Sequence, residues 1–130
     1  MALDPNYLPV EVLAFLAEKH LGTLTTMRPD GSPHVVPVGF AWDNDARLVR
    51  IITFASSVKV RNVATGSGRA AVSQVDHGRW ITLEGWARVS TEPADVAAAV
   101  AGYASRYRQP SERIDRVAIE IVVDRVLGRA

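Results

Sequence analysis

The chain has 130 residues, of which 48% are hydrophobic and 22% charged, and this balance predicts a single globular domain over residues 1–130. The formal net charge of +1 gives no bulk electrostatic reason to bind nucleic acid or a membrane surface. The absence of cysteine excludes disulfides and thiolate metal sites, and no run approaches the roughly 20 apolar residues that cross a bilayer. Since the start is not signal-like, we expect a cytoplasmic protein without membrane or nucleic-acid partners.

The predicted elements alternate between strands and three helices. Helical spacing and capping residues predict helices over Val10–His20, from a Ser56 or Ser57 cap to Val63, and from a Thr91 cap to Tyr107. Runs rich in β-branched and apolar residues, separated by turn signals, predict six strands at Leu21–Met27, Pro33–Trp42, Leu48–Thr53, Arg69–Val75, Arg79–Ser90 and Val117–Val126.

Six strands joined mostly by tight turns predict a mainly β fold with flanking helices. The expected architecture is a six-stranded antiparallel sheet closed into a small barrel, with the helices outside. Pro37 cannot donate to a neighbouring strand, so the second strand must be an edge, a bulge or a bend at that residue. Gly85 predicts a bulge or a bend within the long fifth strand.

The positive charge is carried mainly by arginine, because Lys19 and Lys59 are the only lysines among 15 basic residues. A guanidinium group binds carboxylates and phosphates through two parallel hydrogen bonds, so an arginine-rich pocket would suit an anionic ligand. Most arginines in proteins are simply surface charges, however, and composition alone leaves both interpretations open.

One strand-to-helix junction carries the groups of an anion site. The third strand leads into Ser56 and Ser57, either of which can cap the short helix, and Lys59 follows within its first turn. Free backbone N–H groups at a helix start attract an anion, and a neighbouring lysine can neutralise it. Capped helices with a lysine are also common without any ligand, so a purely structural cap remains open.

Two further segments combine arginine with aromatic rings. Trp80 and Trp86 share one face of the fifth strand, and Arg79 precedes the first of them. An indole beside an arginine can stack on a planar heterocycle, although a core or dimer-interface tryptophan fits the same pattern. In the third helix, Arg106 and Arg108 could point at an acidic ligand tail or belong to a solvated charged face.

No familiar catalytic motif is present, since the chain has no phosphate loop, dinucleotide-binding fingerprint or nucleophile elbow. His20, His34 and His77 lack the spacing of metal ligands, and we predict no metal site. His34 begins a strand and His77 lies in a turn, where structural or surface roles are the simpler interpretation.

An ordered set of segments resembles the flavin-binding split-barrel family that includes pyridoxamine 5′-phosphate oxidase, and the resemblance covers nearly the whole chain. The set comprises the first helix and residues 21–26, 29–38, 56–59, 74–76, 79–80, 83–85, 119–121 and 125–126. The segments 74–86 and 106–108 are most similar to the small actinobacterial deazaflavin branch, that of the F420-dependent biliverdin reductases. The chain lacks the C-terminal tryptophan- and arginine-containing motif of true pyridoxamine phosphate oxidases, so oxidation of vitamin B6 phosphates is not expected.

The resemblance implies a homodimer with two sites for coenzyme F420 at its interface. It assigns Val36, Pro37 and Val38 to the cofactor ring, Thr53, Ser57 and Lys59 to its phosphate with Arg61 and Asn62 nearby, and Gln74, His77, Arg79, Trp80 and Arg106 to the approach to the cofactor. Some of these side chains would come from the second subunit. A small barrel with exposed aromatic strands also needs a partner on physical grounds.

The implied activity is hydride transfer from reduced F420 to a planar conjugated small-molecule substrate such as biliverdin, with arginines binding the substrate carboxylates. No Asp, Glu or His is placed as a general acid, so no catalytic residue is assigned. One alternative is an FMN-binding oxidoreductase of the same fold. Another is a protein that binds a flavin, a deazaflavin or haem without turnover.

Overall fold

In a computed structural model that describes residues 2–130, three helices flank an eight-stranded antiparallel sheet. The strands are β1 Ala2–Leu3, β2 Gly22–Met27, β3 Pro33–Val38, β4 Ala41–Asp43, β5 Leu48–Phe54, β6 Arg69–Asp76, β7 Arg79–Ser90 and β8 Arg116–Arg129. The helices are α1 Val10–Ala17, α2 Val58–Thr65 and α3 Pro93–Arg106. The predicted mainly β fold with three flanking helices is confirmed.

The long strand β8 organises the sheet. The strand order is β3-β2-β6-β7-β8-β5-β4, and β1 pairs with β8 outside this path. All these pairings are antiparallel, and β8 contacts β7, β5 and β1. No helix within residues 2–130 has both the length and the apolar character needed to cross a membrane.

Two features of the predicted sheet are wrong, namely its six strands and its closure. The predicted second strand is interrupted at Gly39 and Phe40, which separate β3 from β4, and the short β1 adds a further strand. Within residues 2–130, β3 and β4 are the two ends of the path of paired strands, so the barrel is not closed by hydrogen bonds. At the interruption, the Tyr103 ring leaves no room for a side chain, because a Cβ atom at Gly39 would lie 2.7 Å from Cε2 of Tyr103.

Several local predictions can be compared with the structure directly. Pro37 lies in β3, an edge strand, as a residue without an N–H group requires. The pairing of β7 with β8 shifts at Gly85, where the Val122 carbonyl oxygen would be 1.9 Å from an added Cβ. The cap predicted at Thr91 is wrong, because Glu92 occupies the cap position of α3 without a side-chain bond.

The core lies on the inner face of the sheet, where α1 covers it. Phe15 of α1 is fully buried together with sheet residues such as Leu24, Ile51, Leu83 and Ile119. Each such side chain contributes about 1.5–3 kcal/mol when it is removed from water. Helix α3 packs instead against β4, β5 and β8, so its carboxyl end lies beside the junction of β3 and β4.

Candidate functional site

A groove of about 680 Å³ lies between the first turn of α2 and the segment that follows α3. Its lining residues are Pro37, Val38, Gly39, Ile52, Thr53, Phe54, Lys59, Tyr103, Arg108, Gln109, Pro110, Ser111, Arg113 and Arg116. Four of these side chains are cationic, and no Asp, Glu or His from residues 2–130 lines the groove. This cationic groove is therefore suited to an anionic ligand.

Lys59 is the most informative residue of the cationic groove. It is half-buried, and that burial lowers the pKa of its ammonium group. Its Nζ atom lies 6.0 Å from the centroid of the Phe54 ring, and no carboxylate in residues 2–130 forms an ion pair with it. A half-buried charge without a partner is unfavourable in the free protein, and a bound anion would relieve that cost.

The start of α2 is built as the sequence predicted, with Ser57 as its cap. The Ser57 hydroxyl accepts hydrogen bonds from the Val60 N–H at 3.3 Å and from Thr53 Oγ1 at 3.1 Å. Ser57 thus positions the helix, while Thr53 and Lys59 line the groove. The N–H groups of Val58 and Lys59 make no hydrogen bond within residues 2–130, because the first turn of a helix leaves them free.

Two other predicted phosphate neighbours of α2 have different surroundings. Arg61 is exposed and forms no ion pair within the described chain. Asn62 is buried and donates from Nδ2 to Thr26 Oγ1 at 3.1 Å, so it ties α2 to β2. Arg61 therefore remains available to a ligand, whereas the Asn62 side chain already stabilises the fold.

Arg106 occupies the space between α3, α1 and the β3–β4 junction. It donates to the carbonyl oxygens of Glu18 at 2.8 Å and Phe40 at 2.6 Å, and to Gln74 Oε1. Its guanidinium carbon also lies 4.4 Å from the Phe40 ring centroid, and burial lowers the pKa of the group. Buried Gln74 in turn donates to the Phe15 carbonyl at 2.9 Å. Arg106 and Gln74, both predicted to bind the cofactor, thus have hydrogen-bond partners inside the chain.

The remaining predicted residues lie at the hairpin that joins β6 to β7. Arg79 pairs with Glu18 at 2.7 Å and with Asp76 at 2.6 Å, and its guanidinium stacks on the Phe15 ring. His77 is in the turn, with a positive φ of 55° and a side chain that is 97% exposed. Trp80 is half-buried in β7. None of these residues lines the cationic groove of this protomer.

A grouping of potential metal ligands lies where this hairpin meets the segment that follows α1. Glu18, His20 and Asp76 each place one ligand atom within 4.8 Å of the others. The Arg79 guanidinium, however, already compensates both carboxylates, and it lowers the pKa of Glu18 from its ordinary 4.5 to about 2. The grouping is therefore an ion-pair network around Arg79.

The structure thus brings together only part of the predicted site. Pro37, Val38, Thr53 and Lys59 line one groove, and Val36 lies in the same strand as the first two. Sequence reasoning did not single out Tyr103 as a binding residue, and it missed Arg113 and Arg116 altogether. The available signal for the two arginines was their position around the Pro110 segment, between α3 and the last strand.

A second groove of about 730 Å³ adjoins the cationic groove. The two share Gln109, Pro110, Arg113 and Arg116 as lining residues. The second groove adds apolar side chains from α3 and the following segment, namely Pro93, Val96, Val100 and Ile114. The cationic groove thus continues into a more apolar groove, and the four shared residues line both.

One face of the sheet leaves large apolar side chains uncovered. Val35 is 57% exposed, Val75 is 66% exposed and Trp86 is 54% exposed. The strand registers place all three on the same face, because directly paired residues point to the same side of a sheet. Pro37 of the cationic groove is on this face as well, so the exposed patch borders the groove.

The sequence profile of the pyridoxamine 5′-phosphate oxidase family matches residues 8–130 of this chain. A curated protein of Mycobacterium tuberculosis named F420H(2)-dependent biliverdin reductase is 49% identical over 120 residues, which cover 92% of this chain and 87% of that protein.

Two solved structures are similar over nearly their whole length. A structure described as an F420 reductase is 26% identical with a TM-score of 0.75, covering 92% of this chain and 98% of that one. A conserved hypothetical protein of Mycobacterium tuberculosis has a TM-score of 0.80 at 24% identity, covering 95% of this chain and 84% of that one. The second likeness supports the fold alone.

Proposed function

The chain belongs to the pyridoxamine 5′-phosphate oxidase family, and from that premise we propose that it is an F420-dependent reductase. It transfers a hydride from the reduced deazaflavin to a planar conjugated substrate, for which biliverdin is the first candidate. The 49% identical relative carries that activity in its name, and a solved structure of the same fold is described as an F420 reductase. The enzyme class and the cofactor follow from these relatives, whereas the substrate rests on one of them.

The observation that carries the proposal is the half-buried Lys59 without a carboxylate partner in the cationic groove. Its surroundings fit a phosphorylated cofactor, because the free N–H groups of Val58 and Lys59 lie at the start of the same helix. A phosphate there would compensate the ammonium charge and accept hydrogen bonds from these N–H groups, beside Thr53, whose hydroxyl donates to Ser57.

When bound, the deazaflavin supplies a hydride donor, and the protein supplies orientation and electrostatics. Pro37 and Val38 give the groove an apolar wall against which a flat ring can pack. Arg113 and Arg116 lie where the cationic groove meets the more apolar second groove. A conjugated substrate with carboxylate side chains would find both an apolar surface and guanidinium groups there.

The homodimer predicted above forms part of this proposal. The exposed face that carries Val35, Val75 and Trp86 is an apolar patch that a second copy of the chain would cover. Since Pro37 belongs to both that face and the groove, a partner on this face would lie next to the cofactor. His77, Arg79 and Trp80 of the partner subunit would then be candidates to complete the site.

Sedimentation equilibrium tests the dimer. The wild-type protein is expected to sediment as a dimer at micromolar concentration, and Val75→Glu is expected to shift it towards monomer while weakening F420 binding. A matched control is Val10→Glu, which places the same charge at an exposed valine of α1 that does not line the groove. A wild-type protein that stays monomeric at that concentration would contradict this part of the proposal.

The proposed activity is tested by parallel titrations of the purified protein with oxidised F420 and with FMN, followed by absorption spectra. We expect F420 to bind at least about tenfold more tightly than FMN, a difference of about 1.4 kcal/mol. Reduced F420 and enzyme together should remove the biliverdin absorption, and reduced F420 alone is the control. Exclusive FMN binding would contradict the cofactor assignment, and F420 binding without turnover of biliverdin would contradict the substrate.

A further inference from the structure

The proposed reduction needs a proton as well as a hydride, and the cationic groove contains no carboxylate or imidazole from the described chain. Its cations are Lys59, Arg108, Arg113 and Arg116, of which Lys59 already faces the expected phosphate. The lining residues with a hydroxyl group are Thr53, Tyr103 and Ser111. The Thr53 hydroxyl donates to Ser57, so its proton is engaged within the cap of α2.

Tyr103 and Tyr107 form a contacting pair near the end of α3, with ring centroids 4.9 Å apart. The two hydroxyl groups differ sharply. Tyr107 donates to the His20 carbonyl at 2.5 Å and accepts from the Phe40 N–H at 3.2 Å, so its polar end is fully used by the fold. The Tyr103 hydroxyl makes no hydrogen bond to any residue in 2–130, although the residue is half-buried. The oxygen is not fully enclosed, so it can bind a ligand from the groove that Tyr103 lines.

The ring of Tyr103 is held against the backbone at the end of β3. Its Cε2 atom would be 2.7 Å from a Cβ at Gly39, so only glycine allows this approach. The Tyr107 ring also contacts it, and Tyr107 Cε2 would be 3.2 Å from the same Cβ. Gly39 directly follows Pro37 and Val38, the two residues that form the apolar wall of the groove. The packing therefore keeps Tyr103 beside the surface on which the reacting ring is expected.

We propose that the Tyr103 hydroxyl binds the substrate and donates the proton that accompanies hydride transfer; this inference rests on the proposed function. The hydride adds to a carbon of the conjugated substrate, and the displaced electron pair moves to a nitrogen or oxygen of the same π system. That atom takes the proton from the Tyr103 oxygen, and the phenolate regains a proton from water. Substrate gains one hydride and one proton, while the two electrons come from reduced F420.

The test compares Tyr103→Phe with Tyr107→Phe, because the two variants remove one oxygen each from neighbouring rings. Tyr103→Phe should keep the melting temperature and bind F420 within about threefold of wild type. Its rate of biliverdin reduction should fall at least about 100-fold, the usual range for losing a general acid. Its residual rate should still show a solvent deuterium isotope effect, because the proton must then come from water.

Tyr107→Phe should do the opposite, since it leaves the Phe40 N–H and the His20 carbonyl without their partner. We expect a lower melting temperature and a nearly unchanged rate below it. A Tyr103→Phe rate within threefold of wild type would overturn the inference. A loss of F420 affinity that accounts for the whole loss of rate would overturn it too, because the hydroxyl would then bind cofactor. Failure of the wild-type protein to bind F420 would instead remove the proposed function.

Discussion

The molecule has two cationic regions that differ in how their charges are compensated. Around α1 and the end of α3, Arg79 pairs with two carboxylates, those of Glu18 and Asp76. Arg106 donates to two backbone carbonyl oxygens and to the Gln74 side chain. In the cationic groove, Lys59 has no carboxylate partner within residues 2–130. The first region holds elements together. In the groove, Arg113 pairs with Asp115 and Arg116 donates to the Ser111 carbonyl, so Lys59 is the groove cation that stands out by being half-buried without a carboxylate partner within residues 2–130.

The comparison also shows that the half-buried charge in the groove destabilises the free protein. Burial lowers the pKa of Lys59, which means that the charged form is less favourable there than in water. A fold selected for stability alone would place a carboxylate nearby or remove the charge. Functional sites commonly retain such locally unfavourable groups because a ligand compensates them.

The largest effect is expected from breaking the compensated region. Arg106→Met should lower the free energy of unfolding by about 3 kcal/mol, because the carbonyl groups of Glu18 and Phe40 lose a charged donor in a partly buried space. Urea denaturation measures the change. Arg108→Met is the control, since this neighbouring arginine is exposed, and it should stay within about 0.5 kcal/mol of wild type. Equal stability of the two variants would contradict the structural role of Arg106.

An intermediate effect on the free energy of unfolding, opposite in sign, is expected from replacing Lys59 in the cationic groove. Lys59→Met should leave the free protein as stable as wild type or more stable, because it removes an uncompensated half-buried charge. Burial makes the folded-state pKa of Lys59 lower than that of a lysine in water, so the penalty applies below the folded pKa and fades as the pH rises through it. Urea titrations at pH 7 and pH 10 should therefore show the variant's advantage shrinking with pH. A marked loss of stability at pH 7 would assign Lys59 to the fold.

The smallest effect concerns the exposed ion pair of Arg79 with Glu18. The hydrogen bond with Arg79 lowers the pKa of Glu18 from its ordinary 4.5 to about 2, so the contribution of the pair is present above pH 4.5 and is lost as the pH falls towards 2. Glu18→Gln should lower the melting temperature slightly near pH 6 and match wild type near pH 2. The contribution is small because exposed ion pairs are well screened. A difference that grows on acidification would contradict this sign.

The structure also shows which parts of the site could be predicted from local sequence. Three local features were predictable because each depends on neighbours within one turn or one strand. They are a serine cap on α2, the place of Lys59 in the first turn of that helix, and a position for Pro37 without a ladder bond from its nitrogen. The partners of Arg106 were not, because the Phe40 and Glu18 carbonyl groups are 66 and 88 residues away in sequence. Residue type alone suggested a ligand-binding arginine, and only the packing of α3 reveals its acceptors.

The same reason explains the errors in the fold. The predicted strand over 33–42 is β-rich throughout, whereas the structure interrupts it at Gly39, which packs against Tyr103 of a helix far along the chain. Closure of the barrel was expected from the number of strands, whereas the observed order leaves β3 and β4 unpaired with each other. Tertiary contacts thus decided both features, and neither leaves a local signal.

The central claim is that Lys59 is kept without a partner in order to bind an anionic deazaflavin. The most direct measurement is the F420 dissociation constant of wild type and Lys59→Met, obtained side by side by fluorescence titration at pH 7. The account predicts at least about tenfold weaker binding by the variant, or 1.4 kcal/mol, with a melting temperature of the free protein that is equal to or higher than that of wild type. Equal affinity of the two proteins for F420 would contradict it.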